Sequence, residues 1–437
     1  MTLVSPGPST KPPPATEPDP HNPIHNTFWR RHRHAVEADL AELRNQPLTF
    51  FPGYQMEGQL ASIQVPGAWV VSRYKPILEV SRTAAHYSSA GGVTINDFPA
   101  EFNEYFNSII AMDDPRHARL RRLVSAGFTP RMLARLEDSV RSQASMIVDE
   151  VCERGECDFV TDVAARLPLR IVCDLMGIPA SEHDFVFDQS NIILGAGDPE
   201  YVPDFGDIIT AILTAGEALT ELMDEVATSK VGVDSGDLTS VLVNAEVDGE
   251  QLTRAELASF FILLVIAGNE TTRNAISWGL VYLTENPDQR RIWATDFEGT
   301  ASSAVEEIVR IASPVTYMRR TARCDVELEG QRIDEGDMVV MNYLCANRDE
   351  SVFDDPLAFD VRRDPNPHLG FGGPGPHFCL GAHLARREIK VMYRELFDRI
   401  GDIHATGEPE LLASAFIHGI KHLPAEFTPT TPAKRPD

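Results

Sequence analysis

The chain has 437 residues, of which 43% are apolar and 24% are charged, a composition typical of a globular protein with a large buried core. Its 39 basic and 65 acidic residues give a formal net charge of −26. This balance argues against a nucleic-acid-binding function, because contacts with phosphates require a basic surface.

The first 25 residues are rich in proline and contain no apolar block, so they bury too little surface to offset the entropy lost on ordering. We expect them to form a disordered tail ahead of a single domain over residues 26–437. We find no apolar run typical of a secretory signal or a membrane span, which predicts a cytoplasmic protein without stable membrane insertion. Five of the six cysteines, all but Cys379, are expected to be small core side chains.

Apolar periodicity predicts a strand over 69–71 and then a helix over 74–85. Helical patterns dominate the middle of the chain, over 131–151, 167–176, 205–227, 254–284 and 300–312. Three short strands are predicted next, over 326–328, 331–333 and 338–342. Between them, Glu329-Gly330 and Glu335-Gly336 are typical of hairpin turns. The sequence therefore predicts a mainly α fold with small β-sheets.

A glycine- and proline-rich loop over residues 365–376 precedes Cys379, and a helical pattern resumes from Gly381. Residues 371–381 read FGGPGPHFCLG. A cysteine at the start of a helix can form a thiolate, because the helix dipole and convergent backbone N–H groups stabilise the anion. Cys379 is thus a candidate metal ligand, although a lone buried cysteine is more often structural.

This segment resembles the haem-binding loop of the cytochrome P450 family, in which a cysteine thiolate is the axial ligand of the iron. Phe371 lies one residue further from Cys379 than the usual family signature places its phenylalanine, as in certain bacterial lipid and sterol hydroxylases of the family. The resemblance implies the cytochrome P450 fold, haem b as the cofactor and Cys379 as the iron ligand. It also implies a monooxygenase that inserts one atom of O2 into an unactivated C–H bond of an apolar substrate.

Glu307 and Arg310 are placed at i,i+3, which brings a carboxylate and a guanidinium to one face of the predicted helix. Such pairs are common on exposed helices and stabilise them little. Because this pair precedes the cysteine loop, it also resembles the ExxR motif of the cytochrome P450 family. The resemblance implies that Glu307 and Arg310 have a structural role and fix the region beneath the haem.

Residues 267–272 read AGNETT and interrupt a strongly apolar helical pattern. A threonine can bend a helix by bonding to the carbonyl four residues earlier, and a buried glutamate needs partners. Glu270 could instead cap a surface turn. In cytochrome P450 relatives the matching segment widens the helix above the haem. The resemblance implies that Thr271 hydrogen-bonds the bound dioxygen and that Glu270 relays protons from solvent.

Residues 114–121 read DPRHARLR and place His117 and Arg121 at i,i+4, on one helix face. The resemblance implies that both bind a haem propionate, a group that needs cationic partners when partly buried. Arg320, which precedes a predicted strand, and His377 match two further propionate ligands of the family. Taken singly, each of these four cations could be an ordinary surface residue.

Electron supply must be external, since no flavin- or nicotinamide-binding fingerprint accompanies these motifs. The resemblance implies a ferredoxin and a ferredoxin reductase as electron donors. We expect an acidic ferredoxin to dock on a cationic surface near the cysteine, formed by Arg119, Arg122, Arg386, Arg387, Lys390 and Arg394. The alternative is that these six residues are scattered surface charges.

The segments VIAGNETTRN, SPVTYMRRT, DPNPHLGFGG and FIHGIKHLP are most similar to those of bacterial methyl-branched-lipid omega-hydroxylases and, more distantly, sterol side-chain hydroxylases. The resemblance implies terminal hydroxylation of a methyl-branched or isoprenoid lipid or fatty acid, with a sterol side chain as the alternative. Residues 195–206 are predicted to form a mobile lid. The candidate substrate-binding residues, each of which could be ordinary core, are Phe106, Ile110, Leu263, Ala267, Val315 and Phe416.

Three other functions remain open at this point: a peroxide-driven haem enzyme, a non-catalytic haem-binding sensor, and a helical protein in which Cys379 is structural. Glu270 and Thr271 disfavour the first, because peroxide already supplies both oxygen atoms and protons. A sensor would be expected to carry an output domain. The third function leaves the cysteine loop, the ExxR motif and the set of cations unexplained.

Overall fold

The structure is a computed structural model that describes residues 11, 19–55, 64–96, 100–126, 130–194, 200, 208–244 and 249–433. The helices of this part are α1 Asn26–Trp29, α2 Arg33–Arg44, α3 Tyr74–Arg82, α4 Ala100–Asn107, α5 Arg116–Ala126, α6 Pro130–Val151, α7 Arg166–Met176, α8 His183–Leu194, α9 Ile208–Ser229, α10 Leu238–Asn244, α11 Arg254–Glu285, α12 Pro287–Thr295, α13 Phe297–Ala312, α14 Tyr343–Ala346 and α15 Ala382–Arg399. Short 3-10 helices cover Ser108–Ala111 and Ala180–Glu182, and a π-helical turn covers Val160–Ala164.

The strands are short. They are β1 Thr49–Phe51, β2 Tyr54–Gln55, β3 Gln64–Val65, β4 Ala68–Val71, β5 Tyr87–Ser88, β6 Glu156–Asp158, β7 Tyr317–Ala322, β8 Val326–Leu328, β9 Gln331–Ile333, β10 Met338–Asn342, β11 His404–Ala405, β12 Glu410–Leu411, β13 Ile420–His422 and β14 Pro424–Glu426. The predicted fold class, mainly α with small sheets, is confirmed.

The long helix α11 is central to the helical part of the protein. It begins at a capping box, in which Thr253 Oγ1 accepts from the backbone N–H of Glu256 and the Glu256 carboxylate accepts from that of Thr253. It then packs against α4, α7, α8, α9, α13 and α15. By length and composition alone α11 could cross a membrane, but 61% of its most apolar window is buried inside the protein, as expected of a core helix.

The main sheet contains five strands in the order β1-β4-β10-β7-β5, with β4 and β10 parallel and the other neighbours antiparallel. The turn at Glu329-Gly330, where both residues have positive φ, joins β8 and β9 as predicted. The hairpin predicted at Glu335-Gly336 is wrong, because β10 pairs with β4 and β7 rather than with β9. Arg320 precedes the predicted strand β8 and itself lies inside β7, a strand that the sequence did not predict.

The predicted boundary of the N-terminal tail, at residue 25, lies too late in the chain. Ile24 is 1% exposed, its carbonyl accepts from the Tyr54 hydroxyl at 3.2 Å, and the Pro23 carbonyl accepts from Trp29 Nε1 at 2.9 Å. This apolar segment therefore belongs to the core around α1 and α2. Most of the earlier tail lies outside the described residues, as does the predicted lid over 195–206 apart from Glu200.

The cysteines other than Cys379 agree with the expectation of small core side chains, with one exception. Cys152, Cys157, Cys173 and Cys345 are buried, whereas Cys324 is half-buried. None of the six forms a disulfide.

Candidate functional site

Cys379 lies at the end of a tightly packed loop, directly before α15. Its backbone N–H donates to the carbonyl of Phe371 at 3.0 Å, which closes the loop. The loop also packs closely against Ser81 at the end of α3: a Cβ at Gly373 would lie 2.5 Å from Ser81 Oγ, and one at Gly375 would lie 2.3 Å from its carbonyl oxygen. Glycine is therefore required at both positions for this packing.

Cys379 is accessible to solvent, but many protein atoms also surround its thiol. This burial raises the pKa of the thiol. The backbone N–H groups of Gly381 and Ala382 and the charges of Arg121 and Arg386 act in the opposite direction and favour the thiolate. Such a thiol is readily deprotonated when a metal cation binds to the sulfur.

Glu307 and Arg310 form a fully buried ion pair on α13, with both side chains 0% exposed. Arg310 Nε donates to Glu307 Oε2 at 2.7 Å and Nη2 donates to Oε1 at 2.8 Å, a bidentate arrangement. The remaining guanidinium N–H groups donate to the carbonyls of Asn347, Pro356 and Ala358. The pair thus connects α13 to the irregular chain that leads towards the cysteine loop.

A third charged residue, Arg363, completes this network. Its Nε lies 3.1 and 3.2 Å from the two oxygens of Glu307, which also accepts from Asn366 Nδ2 at 3.1 Å and from the backbone N–H of Asp360 at 3.0 Å. Burial alone would raise the pKa of Glu307, but these partners lower it below its usual value. Arg363 could not be predicted from the sequence, because nothing near it in the chain indicates a partner 56 residues away.

Glu306, the neighbour of Glu307, connects α13 to the cysteine loop and to α15. It accepts from His368 Nε2 at 2.8 Å and from Arg386 Nη2 at 2.9 Å. Arg386 in turn stacks over the Phe371 ring, 4.2 Å from its centre. Burial opposes ionisation of Glu306, yet the hydrogen bonds and charges of His368 and Arg386 lower its pKa to about 2. Glu306 on α13 and Arg386 on α15 therefore hold the cysteine loop between these two helices.

The four predicted propionate ligands include a buried arginine and two adjacent histidines, of which His117 has its Nδ1 3.3 Å from Asp114 Oδ1. The rings of His117 and His377 are 4.3 Å apart, and His117 Nε2 is buried with no hydrogen-bond partner in the described residues. Arg320 is 6% exposed and forms no ion pair with any described residue. Arg121 Nη2 donates to the carbonyl of Phe378 at 2.7 Å, which brings α5 against the cysteine loop.

These residues fit the haem expected from the sequence. Burial and the charge of Arg320 lower the pKa of His377 to about 3, and burial also lowers the pKa of His117. An anionic group beside them would satisfy the free His117 Nε2 and compensate the buried Arg320. The two propionates of haem b would supply such charges, and Cys379 would offer a thiolate ligand to its iron. His117, Arg121, Arg320 and His377 are therefore the residues that would hold the propionates.

The AGNETT segment lies within the continuous helix α11. Thr271 Oγ1 donates to the carbonyl of Ala267 at 2.7 Å, the back-bond expected of a threonine that distorts a helix. Ala267 is exposed and Thr271 is half-buried, so this turn faces open space. The oxygen of Thr271 remains available as an acceptor towards that space.

Glu270 has a different environment from the one expected for a relay in contact with solvent. It is 2% exposed, and both of its oxygens contact Arg273 Nη2, with 2.7 Å to Oε2. Asn274 Nδ2 donates to Oε2 at 3.2 Å and to the Glu270 backbone carbonyl at 2.8 Å. Glu270 does not cap a surface turn but lies in a buried polar network of α11.

The candidate substrate-binding residues fall into two groups. Phe106 and Leu263 are each 5% exposed and belong to the main core, so the structure favours a packing role for them. The others border open space to some degree: Ala267 is exposed, and Ile110, Val315 and Phe416 are half-buried. Val315 and Phe416 lie side by side, because Val315 bridges to Ile417 and the Phe416 carbonyl accepts from Thr316 N–H.

The predicted cationic surface is not a set of free charges. Each of its six residues forms an ion pair with a glutamate of this chain. The pairs are Arg119 with Glu250 and Glu256, Arg122 with Glu250, Arg386 with Glu306, Arg387 with Glu137, and both Lys390 and Arg394 with Glu298. Much of the positive potential expected from the sequence is therefore cancelled.

Known proteins share this architecture over most of the chain. The family model described as Cytochrome P450 matches residues 214–292 and 301–399. The methyl-branched lipid omega-hydroxylase of Mycobacterium tuberculosis is 47% identical over 405 residues, which cover 92% of this chain and 93% of that protein. The steroid C26-monooxygenase of Mycolicibacterium smegmatis is 37% identical over 89% of this chain and 90% of its own length.

A solved structure gives the same result at the level of the fold. A cytochrome P450 of Mycobacterium marinum in complex with pseudoionone superimposes with a TM-score of 0.85 and 40% sequence identity, over 92% of this chain and 97% of that one. Identity of this extent over nearly whole chains, together with the cysteine loop and the cation set, defines the family. The chain belongs to the cytochrome P450 family and is a haem-dependent monooxygenase.

Proposed function

We propose that this enzyme hydroxylates a methyl-branched or isoprenoid lipid or fatty acid at or near a terminal methyl group. The observation that carries this proposal is the 47% identity, over 92% of the chain, with a methyl-branched lipid omega-hydroxylase. The apolar residues Ala267, Val315 and Phe416 border open space, in keeping with an aliphatic substrate. The second candidate is a sterol side chain, favoured by the 37% identity with a steroid C26-monooxygenase.

The chain's own residues have separate roles in this reaction, in which O2, two protons and two electrons convert a C–H bond into C–OH and release water. When bound, the haem supplies the iron centre at which O2 is activated. Cys379 would be its ligand, and His117, Arg121, Arg320 and His377 would hold its propionates. Thr271 Oγ1, whose own proton is donated to the Ala267 carbonyl, would accept a hydrogen bond on the open side of α11, and Glu270 would supply a proton from the buried polar network of that helix.

Thr271→Ala is expected to separate the consumption of reducing equivalents from product formation. Without the hydroxyl, proton delivery at this turn of α11 is impaired, while the ligand loop and the substrate space are unchanged. A positioned proton donor contributes on the order of a hundredfold or more, so product formed per reducing equivalent should fall at least about tenfold. Both quantities can be measured in the same reaction.

The matched control is Thr272→Val, a change of nearly equal size at the next position, where the side chain is buried. It should leave the ratio of product to reducing equivalents unchanged. An unchanged ratio in Thr271→Ala would contradict a role of Thr271 in proton delivery.

Substrate class can be tested by titrating the purified enzyme with a methyl-branched fatty acid, a straight-chain acid of equal length and a sterol. We expect the branched acid to give the largest change in the haem absorption spectrum and a product hydroxylated at a terminal methyl. Product from the sterol alone would favour the second candidate. If branched lipids give neither a spectral change nor a product, the proposal is wrong.

For electron supply we propose a ferredoxin with a ferredoxin reductase. The support is the sequence, which carries no flavin- or nicotinamide-binding fingerprint. Because the six cations of the cationic surface are paired with glutamates, docking on this face would depend on a ferredoxin carboxylate competing for Arg or Lys. The same substrates can be tested for product with reductase and ferredoxin, and separately with peroxide alone. Product with the reductase and ferredoxin would support this proposal, and product with peroxide alone would indicate a peroxide-driven enzyme.

We also propose that the enzyme works in the cytoplasm. Six free cysteines, one of which has to remain available as a thiolate ligand, suit a reducing compartment.

A further inference from the structure

Three buried polar atoms on one turn of α11 have no hydrogen-bond partner within the described part of the chain. They are Nδ2 and Oδ1 of Asn269 and Nε of Arg273. Asn269 is 0% exposed and Arg273 is 3% exposed. Because the two residues are placed at i,i+4, their side chains lie on the same face of the helix, with Cβ atoms about 5 to 6 Å apart.

Orphaned atoms of this kind indicate bound solvent. Buried polar side chains almost always have a hydrogen-bond partner, either from the protein or from an ordered water. Asn269 offers one donor group and one acceptor, and Arg273 offers a further donor. A single water can accept from both donors and donate to the Asn269 oxygen, which satisfies all three atoms at once.

We propose that Asn269 and Arg273 bind an ordered water molecule in the interior of the protein, and that this water fixes the guanidinium that holds Glu270. Arg273 Nη2 contacts both Glu270 oxygens, so the orientation of the guanidinium sets the position of the carboxylate. Asn274 extends the network, because its Nδ2 binds Glu270 and its Oδ1 accepts from the Ile420 N–H at 2.9 Å. A continuous polar chain then connects the water to β13.

Asn269 is therefore a positioning residue for proton delivery. This inference rests on the proposed role of Glu270 as a proton donor. It does not touch the substrate space, since it is fully buried. Its effect reaches the reaction through Arg273 and the Glu270 carboxylate. Removing the amide should therefore change how well protons are delivered, and should leave substrate binding alone.

The first test is structural and uses the haem-loaded enzyme. A crystal structure at atomic resolution should contain an ordered water within hydrogen-bond distance of the Asn269 amide and of Arg273 Nε, and Asn269→Leu, which has nearly the same volume, should lack it. Absence of solvent density beside Asn269 in the unmodified enzyme would overturn the hydration site. This result does not depend on which substrate the enzyme uses.

The second test is functional. Asn269→Leu should lower the product formed per reducing equivalent severalfold and increase the solvent isotope effect on turnover, with an unchanged KM for the substrate. Thr272→Val, next to the orphaned atoms on α11, should change neither quantity. Asn269→Ser, which keeps a donor and an acceptor and leaves space for water, should restore most of the ratio. If the leucine variant does not fold, Asn269→Ala, which also removes the amide, takes its place and should lower the ratio in the same way.

The outcomes separate this inference from the proposed function. If Asn269→Leu loses the water but keeps the same ratio and isotope effect, the positioning role is wrong. If the unmodified enzyme hydroxylates none of the lipids or sterols, the proposed function fails. The infrared band of the Glu270 carboxylate, identified with Glu270→Gln, then still reports positioning: it should shift in Asn269→Leu, and an unshifted band would overturn the role.

Discussion

Glu307→Ala is expected to give a protein that does not retain haem. The substitution leaves Arg310 and Arg363, whose side chains are 0% and 10% exposed, without the carboxylate that both contact. Removing one partner of a buried ion pair costs about 3 to 5 kcal/mol. That is a large part of the roughly 5 to 15 kcal/mol by which a typical domain is stable. The loss falls on the chain segment that positions the cysteine loop.

Haem content and the urea unfolding of the purified variant measure this effect. An exposed pair with the same spacing along a helix provides the control: Asp288 and Arg291 on α12 are also at i,i+3, 3.0 Å apart, and their side chains are 82% and 74% exposed. Asp288→Ala should change the free energy of unfolding by no more than about 1 kcal/mol and leave haem content unchanged. Full haem occupancy in Glu307→Ala would show that the buried pair does not position the loop.

Local periodicity was sufficient to predict much of the fold. The helix predicted over 254–284 corresponds to α11, and the strands predicted over 326–328, 331–333 and 338–342 correspond to β8, β9 and β10. The wrong hairpin at Glu335-Gly336 has a physical reason. Turn residues indicate where a strand ends, but β10 pairs with β4, which lies far earlier in the chain, and alternation within a strand does not identify its partner.

The site divides in the same way between local and distant contacts. The cysteine loop and the Glu307–Arg310 pair are contiguous patterns, so the sequence was sufficient to identify them. Arg363 was missed because its contact with Glu307 is made across 56 residues. The six cations of the cationic surface were predicted to be unpaired for the same reason. Glu298, for example, pairs with Lys390 and Arg394, which lie 92 and 96 residues later in the chain, so only the folded structure shows this contact.

Burial is the other property that the sequence did not supply. Glu270 was expected to connect to solvent, yet its carboxylate is enclosed by Arg273 and Asn274 on its own helix. Leu263 was expected to border the substrate, yet it lies in the core. The two residues are seven positions apart and lie on nearly the same face of α11. Helical periodicity does not show which face of a helix points to the site when the helix is apolar on nearly all sides.

Cys379→Ala is expected to remove the spectral signature of a thiolate-bound haem. In the unmodified enzyme, reduced with dithionite and exposed to carbon monoxide, the Soret band should be strongly shifted to the red, because the sulfur donates electron density to the iron. Alanine keeps the small size of the side chain and removes the ligand. The variant should therefore lack the red-shifted band and all hydroxylation, even if the cations around His117 still bind the haem propionates.

Cys324→Ala is the matched control, since Cys324 is another free and partly accessible cysteine, and it lies after β7 rather than before α15. It should retain the red-shifted band and full activity. A red-shifted band that persists in Cys379→Ala would place the iron ligand elsewhere. A band typical of a histidine-bound haem in the unmodified enzyme would mean that the thiolate, although favoured by Gly381 and Ala382 N–H groups, is not the ligand. In either case, the glycine-rich loop that packs against Ser81 would not have the function of positioning Cys379 as the iron ligand.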